Sequence, residues 1–138
     1  MDLTRQTRIL THHAVLAMIQ AAVARAEEMG QPQCIVVVDA SGEVLGDLRM
    51  TGAKFLSRRS ALAKALTAAS IGAASTNIPD AVRPLIALAT EGSVTGLPGG
   101  LPIRIGGELL GGIGIGSGSG EQDIAVAEAA LAAIGAET

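Results

Sequence analysis

The chain has almost no aromatic side chains: among 138 residues there is no Trp, no Tyr and a single Phe, Phe55. Proteins that bind single-stranded nucleic acid stack the bases on aromatic rings, so this scarcity argues against that class. Positive charge is scarce as well, because 13 acidic side chains outnumber 10 basic ones and leave a net charge of −3. Surfaces that bind nucleic acid need clustered Lys and Arg. We therefore expect no nucleic-acid partner.

Cysteine and long apolar runs are also rare. Cys34 is the only cysteine, which excludes an intrachain disulfide, and its place at the head of an apolar run predicts a buried core residue. No window of 18 uncharged apolar residues has helical character, and no apolar segment follows Met1. We expect no membrane span, no signal peptide and a cytoplasmic protein. The length is that of a single domain, residues 1–138.

Hydrophobic periodicity predicts the element order β-α-β-β-α-(α)-β-β-α. Turn residues at 39–42 and the pair Gly106-Gly107 join two hairpins, which predicts an α/β protein of the α+β type with a mostly antiparallel sheet and helices on both faces. Small residues on one side of the second helix would permit a close backbone approach. Strands are predicted at residues 4–10, 34–38, 44–50, 103–105 and 109–115, and helices at 11–30, 57–69, 77–89 (broken near Pro84) and from 121 onwards.

The only two histidines are adjacent, at the start of the first predicted helix. His12 stands three residues before Val15 and so falls on the apolar stripe, whereas His13 falls on a polar face. An inward-pointing His12 would suit a catalytic or cofactor-binding role; the alternative is that both are solvent-exposed residues of a first turn. A helical zinc motif would need a second ligand three or four residues after His12, but these positions are Val15 and Leu16. A self-contained zinc motif is therefore excluded, and we predict no metal site.

Three cations stand at positions expected to be partly buried: Arg49, Lys64 and Arg104. One interpretation is a pocket that binds a carboxylate, and the other is surface charge whose stems lie on apolar neighbours. Lys64 is the most informative because Ala and Leu surround it. The Gly-rich loop 114–120 matches neither a P-loop nor a dinucleotide fingerprint, and we interpret it as a turn that allows close packing.

The C-terminal third carries a recognisable segment, GGLPIRIGGELLGGIGIGSGSGEQD from Gly99 to Asp123. Shorter pieces agree with it in order and spacing: VVDASG at 37–42, RMTGA at 49–53 and KALTAA at 64–69. Together they resemble the GlcG/HbpS/PduO-C-terminal family over nearly the whole chain. The resemblance implies a profilin-like fold with a five-stranded antiparallel sheet, and self-association into dimers to octamers. It does not fix one function, because members include haem-binding proteins and neighbours of catabolic enzymes.

Two functional hypotheses therefore stand side by side. The first is a small-molecule-binding domain whose ligand is haem or a related tetrapyrrole, with His12 as a candidate axial ligand. The second is a small enzyme acting on an organic acid, in which Arg49 or Lys64 holds the carboxylate and His12 or Asp123 moves protons.

For either hypothesis we predict the same site. It would lie between the start of the first helix and the loops at Thr51-Gly52 and Pro98-Gly99-Gly100, where glycine backbone can approach a ligand closely. A neighbouring subunit could complete it.

Overall fold

Two antiparallel hairpins form the sheet in the computed structural model, which describes residues 1–138. The first hairpin joins β1 (Cys34–Asp39) to β2 (Val44–Arg49), and the second joins β3 (Gly100–Ile105) to β4 (Glu108–Gly116). The hairpins meet through an antiparallel β1–β4 pairing, so the strand order is β2-β1-β4-β3. Both predicted hairpins and the antiparallel sheet are confirmed.

Four α-helices accompany this sheet: α1 (His12–Glu28), α2 (Ser57–Ile71), α3 (Arg83–Ala89) and α4 (Gly120–Ala133). Short 3-10 turns at Ser75–Asn77 and Asp80–Val82 precede α3. Pro84 lies in the first turn of α3, where its missing N–H removes no helical hydrogen bond. None of the helices combines the length and hydropathy that a bilayer crossing requires.

The larger part of the core lies between one face of the sheet and the helices α1 and α4. Alternate strand residues share a face, and on this face the sheet contributes large aliphatic side chains. Helix α1 adds the predicted stripe at spacings of three and four, of which Val15, Met18, Ala22 and Ala26 are buried. Burial of such side chains from water is the main stabilising term of the fold. The sheet residues of this core include Ile35, Val37, Ile103, Ile113 and Ile115.

Helix α2 covers the opposite face of the sheet, and its backbone packs directly against the backbone of β4. The β4 positions that face it are glycines, and a Cβ at Gly114 would overlap the Ala61 carbonyl oxygen. A Cβ at Gly112 would lie 2.9 Å from the Ala69 amide nitrogen. Alanines four residues apart on α2 pack into this space and are buried, including Ala61, Ala65 and Ala69. The predicted close approach of α2 is thus confirmed, as is the presence of helices on both faces.

The prediction of five strands is wrong, because residues 4–10 form no strand. The backbone amide of Arg8 donates to the Glu108 carboxylate at 3.0 Å instead of to a neighbouring strand, and the Arg8 guanidinium bonds Glu108 and the Ile105 carbonyl. The segment is therefore held on the β3–β4 hairpin by side chains, and only Leu10 reaches the core. The sheet has four strands, and the profilin-like arrangement stays a prediction.

Candidate functional site

A buried ion pair joins α2 to the start of α4. The ammonium of Lys64 lies 3.0 Å from Oδ2 of Asp123 and donates a second hydrogen bond, of 2.8 Å, to the Ile115 carbonyl. Lys64 is 5% exposed and Asp123 is 2% exposed. Charged groups are rarely buried to this extent unless they are paired. The pair is the most unusual electrostatic feature of the molecule.

Two local arrangements place these side chains. Lys64 lies on the part of α2 that touches the sheet backbone, one residue before Ala65, so its stem starts inside the protein. Asp123 lies in the first turn of α4, where a capping box of Ser119 and Gln122 defines the helix start. A carboxylate in the first turn also interacts favourably with the helix dipole.

The carboxyl of Asp123 is held by more than Lys64. Its Oδ1 accepts a 3.1 Å hydrogen bond from the Gly118 amide. Burial raises the pKa of Asp123, and the positive charge of Lys64 opposes that rise without cancelling it. Desolvation disfavours a charged carboxylate more strongly than these partners favour it. Asp123 therefore accepts a proton more readily than an exposed aspartate.

Glycines make room for the pair. A Cβ at Gly99 would lie 2.9 Å from the Asp123 Cβ and 3.3 Å from the Lys64 Cδ, and it would also crowd the Ile115 carbonyl. A Cβ at Gly100 would overlap the Lys64 backbone carbonyl. Both glycines are buried. The structure thus brings four predicted site residues together: Lys64, Asp123, Gly99 and Gly100.

A polar cleft of about 260 Å³ opens over the ion pair. Its lining contains hydroxyl groups, glycine backbone and only one large apolar side chain, Leu97. The chain has only two lysines, and both line this cleft: Lys64 at its base and the exposed Lys54 at its rim. The lining residues are Lys54, Ser57, Ser60, Lys64, Leu97, Pro98, Ser117, Gly118, Gly120 and Asp123. We call this feature the Lys64–Asp123 cleft.

The side-chain amide of Gln33 acts on the Asp123 carboxyl, whose pKa it lowers, but it forms no hydrogen bond of good geometry. Gln33 is completely buried, and neither its Oε1 nor its Nε2 is paired. Its Nε2 lies close to Gly118, 2.6 Å from where a Cβ of that residue would stand. An unpaired buried amide is unfavourable. Gln33 therefore leaves donor and acceptor capacity beside the Asp123 carboxylate.

His12 is placed far from this cleft. Both histidines are exposed, with ring centroids 4.2 Å apart. The interpretation of both as solvent-exposed residues of a first turn is therefore confirmed, and that of an inward-pointing His12 is wrong. Ala14 and Val15 of the same first turn of α1 pack against the core, whereas the two imidazoles are exposed. The side chains of Val15 and Ile19 lie against Gly46 of β2, where a Cβ would overlap them. The C-terminal part of α1 lies beside residues Leu48–Thr51.

Helix α1 therefore runs along β2, with its C-terminal end toward Thr51. The helix has 17 residues and spans about 25 Å, which separates His12 from Arg49 by most of that length. The prediction that the start of α1 meets both loops is therefore wrong. The loops at Thr51-Gly52 and Pro98-Gly100 do share one end of the sheet, because Cys34 pairs with Arg49 on one side and with Gly116 on the other.

Arg49 and Gly52 lie outside the Lys64–Asp123 cleft. Arg49 is exposed and lines a separate groove of about 560 Å³ between α1 and β2. Gly52 is exposed and has a φ of +92°, a left-handed conformation that favours glycine. Arg104 caps the C-terminal end of α2 by donating to the Gly72 carbonyl at 3.0 Å.

The sequence reasoning missed the rim of the cleft. Lys54, Ser57, Ser60 and Ser117 line the cleft but are not among the predicted site residues. One signal was present: a chain with only two lysines has both within eleven positions of each other. The serines gave no signal, because their convergence depends on the β4–α4 loop folding back over α2.

The other groups with reactive potential are inert here. Cys34 is fully buried, as predicted, and its thiol lies 3.6 Å from the Lys54 carbonyl oxygen. Burial raises the pKa of Cys34, so the reactive thiolate is disfavoured. No three His, Cys, Asp or Glu side chains converge in a way that could hold a metal ion.

Comparisons with known proteins agree with this architecture. The chain is 40% identical to the corrinoid adenosyltransferase PduO of Citrobacter freundii over 126 residues, which cover 88% of this chain but 38% of that protein. It thus spans about two fifths of the length of this relative.

Solved structures match over more of their length. The Klebsiella pneumoniae protein ORFY superimposes with a TM-score of 0.93 at 29% identity, covering 100% of this chain and 99% of that one. A complex of PduOC with haem gives a TM-score of 0.88 at 34% identity, covering 95% and 99%. The family described as haem degrading protein HbpS-like matches residues 10–132. The chain therefore belongs to the HbpS-like family.

Proposed function

We propose that this protein is a small-molecule-binding domain whose ligand occupies the Lys64–Asp123 cleft. The observation that carries the proposal is the buried ion pair at the base of a polar cavity. A buried pair that served stability alone could be replaced by apolar side chains without loss, and it would need no opening toward solvent.

The lining defines the class of ligand. The Lys64 ammonium is balanced by the Asp123 carboxylate, so the exposed Lys54 ammonium is the uncompensated charge of the lining and favours a carboxylate or another small anion. Hydroxyl groups and glycine amides favour oxygen-rich molecules. A volume of about 260 Å³ lies just below the usual range of ligand sites, roughly 300 to 1,000 Å³, so only a small molecule fits. We therefore propose a small organic acid bearing hydroxyl, oxo or amino groups.

The test is calorimetric titration with small organic acids, using lactate and pyruvate as probes. Lys54→Ala removes a cation from the rim of the cleft and should weaken binding about tenfold, because a charge-assisted hydrogen bond contributes roughly 1.5–3 kcal/mol. Arg25→Ala is the matched control, since Arg25 is a surface cation on α1 that pairs only with Glu28. Arg49→Ala distinguishes the two cavities. Loss of binding in Arg49→Ala but not in Lys54→Ala would move the ligand to the groove beside β2.

Haem is the second candidate, favoured by the haem complex of the related PduOC. The Lys64–Asp123 cleft is too small for a tetrapyrrole, so haem would bind at the surface around His12, with the exposed imidazole as axial ligand. Titration with haemin tests this candidate: a saturable Soret change that His12→Ala abolishes would support it. The same change in the double variant His12→Ala/His13→Ala would exclude axial ligation by these histidines.

We also propose that the protein forms homo-oligomers. Several large apolar side chains are exposed, among them Phe55 at 66%, Leu56 at 63% and Leu88 at 79%. Contiguous exposed apolar surface is typical of association sites, and Phe55 and Leu56 stand next to the rim of the cleft. Light scattering at micromolar concentration should report at least a dimer, and a monomer there would contradict the proposal.

A further inference from the structure

Lys64 presents its amine to the cleft in a fixed orientation. A protonated amine has three N–H bonds, and two of them are used inside the protein, by the Ile115 carbonyl and by Asp123. Lys64 also lines the cleft. The third direction therefore remains for a bound molecule, and the side chain cannot swing away because it is 5% exposed.

We propose that Lys64 is a nucleophile that forms an imine with the carbonyl carbon of a small oxo acid. The inference rests on the proposed function, because it requires an organic acid in the Lys64–Asp123 cleft. It adds a covalent step to that binding. Buried lysines near a proton acceptor are suited to this chemistry, since the neutral amine is the attacking form.

Asp123 supplies the proton transfers. In the first step the Lys64 ammonium gives a proton to the Asp123 carboxylate, 3.0 Å away. Rotation about the Cε–Nζ bond turns the freed lone pair toward the cleft, and the neutral amine attacks the carbonyl carbon. One proton then passes from the attacking nitrogen to the alkoxide oxygen, which gives a neutral carbinolamine. In the second step Asp123 gives its proton to the carbinolamine hydroxyl group, which leaves as water while the C=N bond forms. The product is a cationic iminium paired with the Asp123 carboxylate. One carbonyl is consumed and one water is released, and neither oxidant nor reductant is needed.

The raised pKa of Asp123 fits this role. Burial favours its protonated form, so accepting a proton from Lys64 at the start of the reaction is easier than it would be for an exposed aspartate. The rim lysine has a different task. Lys54 is exposed and can hold the carboxylate of the oxo acid while its carbonyl reaches the base of the cleft.

Reductive trapping tests the proposal directly. The protein is incubated with pyruvate and sodium cyanoborohydride, which reduces an imine to a stable secondary amine, and the modified residue is identified by peptide mass spectrometry. Lys54 serves as an internal reference because it is the only other lysine. We expect labelling of Lys64 to saturate with pyruvate and to exceed that of Lys54 by at least about tenfold, as positioned reactants do.

Three further measurements make the result decisive. Lactate, which has the carboxylate but no carbonyl, should suppress labelling of Lys64 by competition. Lys64→Arg keeps a cation beside Asp123 and should abolish the fast adduct, and Asp123→Asn should slow labelling of Lys64 without changing that of Lys54. Labelling confined to Lys54 and the N-terminal amine of the wild-type protein would overturn the proposal. Calorimetric binding of lactate in that case would leave the proposed function standing.

Discussion

The Nζ of Lys64 and the Oδ2 of Asp123, from residues 59 positions apart in the chain, lie 3.0 Å from each other inside the protein. This contact joins the helix on one face of the sheet to a helix on the other, because α2 packs on the glycine face and α4 on the aliphatic face. The pair therefore ties the two layers together at the end of β4, and the cleft is open at that junction.

Removing one member of the pair should destabilise the protein strongly. Asp123→Ala leaves a buried ammonium without its counter-charge, and we expect a loss of about 3–5 kcal/mol in the free energy of unfolding. Lys64→Met should have a similar effect, and the double variant should lose less than the sum of the two. Urea denaturation of the four proteins measures this coupling. Strictly additive losses would show that the two side chains do not interact.

The backbone contact between α2 and β4 predicts that a single methyl group is harmful there. Gly114→Ala should destabilise by about 3 kcal/mol, because the new Cβ overlaps the Ala61 carbonyl and α2 must move away. Gly92→Ala is the comparison variant, since its φ of +83° is strained but the space around it is open. Thermal unfolding should show a smaller loss there, near 1 kcal/mol. If the two variants lost equal stability, the effect of Gly114→Ala would come from the backbone preference of glycine and not from the overlap with Ala61.

Acid should release the N-terminal segment before the fold opens. Hydrogen bonds from the Arg8 backbone and side chain lower the pKa of Glu108 from 4.5 to about 2. Because the pKa is depressed in the folded state, the stabilising contribution is complete above pH 4.5 and is lost as the pH falls toward 2. The Arg8 amide resonance should titrate with that midpoint. In Glu108→Gln this titration should disappear, and a midpoint near 4.5 in the wild type would exclude the bonded carboxylate.

Gln33 should be replaceable without loss of stability. Its buried amide lacks partners, so Gln33→Met, which keeps the shape and removes the polar atoms, should leave the free energy of unfolding unchanged or raise it by up to about 2 kcal/mol. Chemical denaturation compares the two proteins. If Gln33→Met instead lost more than 2 kcal/mol, the amide would have to be hydrogen-bonded in solution, for example through an ordered water.

The sequence was informative where structure is local. The stripe of α1 and the turns at residues 39–42 and 106–107 predicted a helix and two hairpins, since periodicity and turn residues act over a few positions. The strand predicted at residues 4–10 is wrong for the same reason, because the prediction used only local sequence. Their pattern resembles a short strand, but the backbone amide of Arg8 is taken by a carboxylate one hundred residues away. A hydrogen bond to so distant a carboxylate cannot be predicted from the local pattern of residues.

The candidate site was predictable only in part. Lys64 was predictable because a charged side chain among Ala and Leu indicates a partly buried cation. Gly99 and Gly100 were predictable as loop residues, and Asp123 as a carboxylate at the start of a helix. Their convergence depends on how far α2 approaches the sheet, which is a tertiary property. For His12 the sequence pattern was misleading. Its position in the helical repeat places it on the apolar face of α1, but a residue on that face is buried only where another element packs against it.

The glycine-faced strand also limits how the molecule can adapt to a ligand. Most helices rest on a layer of side chains whose rotamers can shift, but α2 rests on the backbone of β4, which has no such freedom. The helix that bears Lys64 therefore has little freedom to move relative to the sheet. A ligand larger than the cavity would not be accommodated by an outward movement of α2. Any widening must come from the segments around Pro98 and Ser117. For the proposed ligand, induced fit would be confined to one side of the opening, and the nitrogen of Lys64 would stay fixed while that side adjusts.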